Sequence, residues 1–180
     1  KFASSAGIPL KLFNSANGTL YVDEFAGGLE VSSWRSGSFH GRVGKHTHTA
    51  GSPAVFITTT GTTSGSRFVY EAEIIESSGN GSATSVDSNH VDDVVLFKNC
   101  NIKNTAAGAA SYGLLVDNDG SVVLDNCNIE TNDAATFDYS LNAATGKNIV
   151  VLGTCMANNA KHANVTILAG TLTVDANVVV

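Results

Sequence analysis

"VLFKNCNIK" at residues 95–103 and "VVLDNCNIE" at 122–130 are two spellings of one pattern, and "VVLGTCMAN" at 150–158 is a weaker third. The step from Cys100 to Cys127 and the step from Cys127 to Cys155 differ by a single position. A near-constant interval of this size constrains the fold more than any local propensity, because it requires one supersecondary unit to be laid down again and again. Aligned on the cysteines, Phe97, Leu124 and Leu152 share a slot, as do Val95, Val122 and Val150, and Asn99, Asn126 and Thr154. One step earlier, "RFVYEAEII" at 67–75 falls into register, with Val69 in the Phe97 slot, Ala72 in the cysteine slot and Ile74 in the Ile102 slot. A second column keeps the same period: Tyr112, Tyr139 and Thr166, then Leu114, Leu141 and Leu168, with Val86 before Leu114.

Within one unit, Val95 and Phe97 alternate as a half-buried strand does. Asn99 interrupts the alternation, and Cys100 and Ile102 resume it in the other phase. Asn tolerates the left-handed region, so it makes a one-residue corner between two strands. Strand, corner, strand, loop and strand then form one coil of a solenoid. Its neighbours lie about 4.8 Å away and bring like side chains into contact. The spacing predicts an all-β chain whose cysteines are small buried hydrophobes in the slot next to the corner. It predicts about four to five coils, with Asn99 and Asn126 stacked above each other.

Residues 1–50 keep no such period. Asn17-Gly18 and Gly27-Gly28 punctuate alternating runs, Leu20/Val22 and Leu29/Val31, which reads as hairpins. We therefore expect a β-meander arm or cap over 1–50, with Trp34 and Phe39 in it, and the solenoid over 51–180. The apolar end at Val178, Val179 and Val180 suggests truncation or burial against a partner.

The net charge is −6 and the ten basic residues are scattered, which argues against nucleic acid. No apolar run is long enough to insert in a membrane.

The string V-x-F-x-N-C-x-I resembles the coils of the single-stranded, right-handed parallel β-helix found in pectate-lyase-like proteins and phage tailspikes, over about residues 67–180. The resemblance implies a structural component of a bacteriophage particle: a tail fibre, tailspike or head decoration. A homotrimer in contact with other virion proteins, acting in particle stability or host attachment with a host glycan as partner, is the expectation. The alternative is a polysaccharide depolymerase or lyase on the same fold.

Three short stretches carry candidate chemistry. "GKHTHTAG" at 44–51 sets His46 and His48 on one strand face, with His40 nearby, and resembles the iron-binding motif of long tail fibres. Three such pairs on a threefold axis would offer six nitrogens to a transition metal. "VDSNHVDD" at 86–93 gathers Asp87, His90, Asp92 and Asp93. With Asp117 and Asp138, these could supply the carboxylate pair of a glycan-cleaving site, and Asp92, Asp93 and Asp117 are its catalytic candidates. Tyr70, Tyr112 and Tyr139 are candidate sugar platforms, and Arg67, Lys98 and Lys103 the nearest cations. "VDNDG" at 116–120 opens like a calcium loop, but Ile129 stands where its closing Glu belongs.

Overall fold

The computed structural model describes residues 2–3, 10–13, 17–33, 37–50, 53–59, 65–79, 81–88, 91–106, 112–117, 120–131, 139–143, 148–157, 160–161 and 164–174. Trp34, His90, Asp119, Asp138 and Val178–Val180 lie outside them. The strands in chain order are β1 (Phe2–Ala3), β2 (Leu10–Phe13), β3 (Asn17–Ala26), β4 (Leu29–Ser33), β5 (Ser38–His48), β6 (Val55–Thr59), β7 (Arg67–Ser77), β8 (Ser82–Ser88) and β9 (Val94–Lys98). They continue with β10 (Asn101–Asn104), β11 (Tyr112–Val116), β12 (Ser121–Asp125), β13 (Asn128–Thr131), β14 (Tyr139–Ala143), β15 (Asn148–Ala157), β16 (Ala160–Lys161) and β17 (Asn164–Val174).

Every pairing among them is parallel, and no helix occurs among the described residues. One sheet collects the long strands β3, β5, β7, β15 and β17, and the pairs β9/β10 and β12/β13 that replace a long strand in two coils. The other stacks β2, β4, β6, β8, β11, β14 and β16. Successive strands alternate between the sheets, so the chain is a parallel β-solenoid. At the period of the cysteines it makes about three turns.

The split at residue 50 does not hold. Strand β3 pairs with β5 and β5 with β7, both parallel, so these early strands are coils of the same stack. The period hid them. Asn17 pairs with Ser38 and Ser38 with Arg67, a short step and then a long one, before the pairing of Arg67 with Val94 settles to the period of the cysteines. Gly27, at φ 126°, turns the corner from β3 to β4 instead of closing a hairpin. A glycine with positive φ serves either geometry, so the local signal could not separate them.

The interior is built in columns. Phe39, Phe68, Val95, Val122 and Ile149 stack in one, and Gly41, Tyr70, Phe97, Leu124 and Val151 in the next. Phe25, His46, Ile75, Ile102, Ile129 and Ala157 form a third. All of these are buried. Each buried Ile, Leu or Phe contributes about 1.5–3 kcal/mol by leaving water. Gly41 bears no side chain because the Tyr70 ring fills its place: a Cβ there would lie 2.7 Å from Tyr70 Cδ2.

Several slot assignments shift by a residue or two. Tyr70, not Val69, lies over Phe97, and Ile75, not Ile74, over Ile102. In the last copy Ile149 and Val151, not Val150 and Leu152, continue the Val122 and Leu124 columns. Cysteine alignment concealed one extra residue at that corner, Gly153, which takes φ 67°. In the second sheet Leu114 pairs with Leu141, but Val86 pairs with Val116, and Leu168 sits at a bulge of β17 in the first sheet.

Candidate functional site

Corner residues set the direction of the strands that follow them. Asn99 and Asn126 have φ 53° and 54°, the left-handed region that a short amide side chain tolerates. Their backbones bond along the stack: Asn99 N–H donates to Asp125 O at 2.8 Å, and Asn126 N–H to Leu152 O at 3.3 Å. The Asn126 side chain crosses to the next coil, where its Oδ1 accepts from Thr154 N–H at 3.0 Å.

Past the corner, Cys100, Cys127 and Cys155 point inward, all buried and unbridged. Each thiol donates to a carbonyl of the preceding coil: Cys100 to Tyr70 O at 3.3 Å, Cys127 to Phe97 O at 3.2 Å, Cys155 to Leu124 O at 3.6 Å. Hydrogen bonding with Cys100, then burial, pushes the Cys127 thiol up to about 12, and contact with Cys127 together with burial raises Cys155 further. Thiols so protonated are neither nucleophiles nor metal ligands.

His46 and His48 do share a face, and it is the inner one. His46 occupies the slot that isoleucines take in later coils. A carbonyl can only accept, so His46 Nε2–H donates to Gly27 O at 2.7 Å. That leaves Nδ1 to accept from the Tyr70 hydroxyl, also at 2.7 Å. Phe25 packs edge-on, ring centroids 4.6 Å apart. Burial pushes His46 down from 6.5 to about 4 and lowers His48 as well. A transition metal shared on a threefold axis does not fit this arrangement. Both His46 nitrogens are engaged inside one chain, and no group of three or more His, Cys, Asp or Glu side chains suited to a metal occurs among the described residues.

The acidic candidates differ in burial and in partners. Asp93 is fully buried, its Oδ1 accepting from Ser66 N–H at 2.9 Å, so it braces a turn between coils. Asp92 and Asp117 are exposed. Tyr70, proposed as a sugar platform, is buried in the core. Lys103 lies 3.6 Å from Glu130.

A different site forms on the outer face. Tyr21, Arg42 and Glu71 are successive rungs of one outward row. In the row beyond the bend, register places Asp23, Gly44 and Glu73 on the same three rungs. Gly44 adds no side chain, and the Asp23 carbonyl would lie 2.6 Å from a Cβ there. The bare middle rung opens a groove of about 630 Å³, lined by Tyr21, Asp23, Arg42, Glu71, Glu73 and Asn99 among others. Tyr21 is 61% exposed, unusual for a large aromatic. Its hydroxyl lies 3.1 Å from His40 Nδ1, and its ring stands edge-on to the imidazole at 5.5 Å. His40 Nε2 lies 3.5 Å from Glu71 Oε1, within ion-pair reach but without hydrogen-bond geometry. These residues belong to the coils whose period is irregular, so no repeat aligns them in the sequence. The parity of "LYVDE" was the usable signal: Tyr21 sits out of phase with Leu20 and Val22, and hence faces outward.

Compared with protein-family models, with curated proteins and with solved structures, the chain finds no match.

Proposed function

We propose that the chain is a structural component of a bacteriophage particle, a tail-fibre, tailspike or head-decoration module coiled as a right-handed β-helix, and that it works as a homotrimer in particle stability or host-surface attachment. The observation that supports this is the uninterrupted parallel stack from β1 to β17. Backbone bonds along its length and columns of apolar side chains suit a stiff spacer. A narrow rod of this kind has much surface for its core, and association in a cyclic oligomer covers part of it. The depolymerase alternative is weaker in its named residues, since Asp93 is held by the Ser66 backbone.

The experiment is light scattering with chemical crosslinking of the purified chain, together with labelling of phage particles by antibodies to it. Three chains per assembly and labelled particles are expected. A clean monomer at micromolar concentration contradicts the homotrimer, and unlabelled particles contradict the virion role. Cleavage of a capsular or pectin-like polymer, abolished by Asp92→Asn, would favour the depolymerase.

A further inference from the structure

We propose that the outer groove over Gly44 is a binding site for an uncharged oligosaccharide, with Tyr21 as its stacking platform. The inference rests on the host-attachment reading and names the ligand class and residues for it. Four features of the groove point to that class.

The first is the platform. An exposed tyrosine offers a flat apolar face for the C–H face of a pyranose, with its hydroxyl at one edge. This ring is already oriented. His40 holds the hydroxyl at 3.1 Å and meets the ring edge-on at an interplanar angle of 89°, while Glu71 stands 3.5 Å behind His40. A side chain held before binding loses less rotamer freedom on binding.

The second is the polar lining. Arg42, Asp23, Glu71, Glu73 and Asn99 carry planar groups with paired donors or acceptors. Adjacent sugar hydroxyls, each both donor and acceptor, match such groups two at a time.

The third is charge. One guanidinium faces three carboxylates in the groove, on a chain of net charge −6. A uronate or sialate would be repelled, whereas a neutral sugar would not.

The fourth is shape. The groove crosses β3, β5 and β7 and reaches Asn99 of the following coil. At a rung spacing of about 4.8 Å it is roughly 14 Å long. That length suits a short run of sugar units. Gly44 keeps the middle of the run open, since any side chain there would fill the gap between Asp23 and Glu73.

The test uses the full chain on an array of neutral and acidic oligosaccharides, followed by calorimetry with the best neutral binder. Binding confined to neutral oligosaccharides is expected. Tyr21→Ala should weaken it tenfold or more with unchanged circular dichroism, and Tyr21→Phe should weaken it less. Lys11→Gln, on the other sheet, should leave it unchanged. Preference for acidic sugars, retention of full affinity by Tyr21→Ala, or no retention of any saccharide at millimolar concentration would each overturn the proposal. If labelled particles contain the trimeric chain but no saccharide binds, only the groove assignment falls. If neutral sugars bind but no particle carries the chain, the virion role falls and the groove stands.

Discussion

Tyr70 donates its hydroxyl to His46 Nδ1 across 2.7 Å inside the solenoid, one coil away from its own position in the stack. With the bond from His46 to Gly27 O, three successive coils are tied by one neutral imidazole. The neighbouring titratable groups are His48, which disfavours a second charge, and Tyr70, whose own ionisation is pushed up by burial and by Cys100.

Stability therefore falls with acid. The folded-state value of His46 is lowered from 6.5 to about 4, so an unfolded chain takes up a proton first as pH drops. Above 6.5 both states are neutral and nothing is lost. Between 6.5 and 4 the folded state loses ground progressively, by about 3 kcal/mol in full. Urea unfolding from pH 7.5 to 4 would show the slope. His46→Ile should be less stable at pH 7, by about 1–3 kcal/mol, because Tyr70 and Gly27 lose a buried partner. In that variant the His46 share of the acid slope should vanish; an unchanged slope would rule out His46 as its source.

The isoleucine column should be unforgiving. Ile102→Ala or Ile129→Ala opens a void between coils above and below, and should cost about 2–5 kcal/mol by denaturant titration. Val69→Ala, half-buried on the outer row beside the Ile102 coil, should cost well under half as much. Equal losses would mean that the inward and outward rows are misassigned.

These two rows also show how far the sequence could be read. The parallel stack, the corner asparagines and the inward cysteines were legible because Phe97, Asn99, Cys100 and Ile102 recur at one interval and alternate within it. The first coils were not, since a short step into β5 and a long step out of it break any fixed period. Position within a slot was also lost wherever a corner moved. In β7 the paired outward residues are Glu73 and Ile74, two positions later than Lys98 and Asn99 imply. The outer groove was illegible for a further reason. It joins residues from β3, β5 and β7 whose proximity depends on those irregular steps.

Corner chemistry should tolerate glycine and reject branching. Asn126→Val forces a β-branched residue to φ 54° and removes the bond to Thr154 N–H, so we expect a loss of about 2 kcal/mol or more. Asn126→Gly relieves the strain and should cost less. Gly153→Ala should destabilise as well, because φ is 67° and a methyl group would run into the Asn126 amide. Thermal unfolding of the three variants would rank them.

The thiols should be silent until the chain unfolds. Buried and raised, Cys127 and Cys155 should resist a disulfide reagent at pH 8, and all three cysteines should react in strong denaturant. Rapid labelling of the native chain would contradict their inward placement.

The most direct test is the pattern of methyl contacts in solution. With isoleucine methyl groups labelled, NMR should give cross-peaks from Ile75 to Ile102 and from Ile102 to Ile129, pairs a full period apart in sequence and adjacent in the stack. Ile74, which faces away from that column, should show none to Ile102. Cross-peaks from Ile74 in place of Ile75, or no contact between Ile102 and Ile129, would contradict the stacked solenoid.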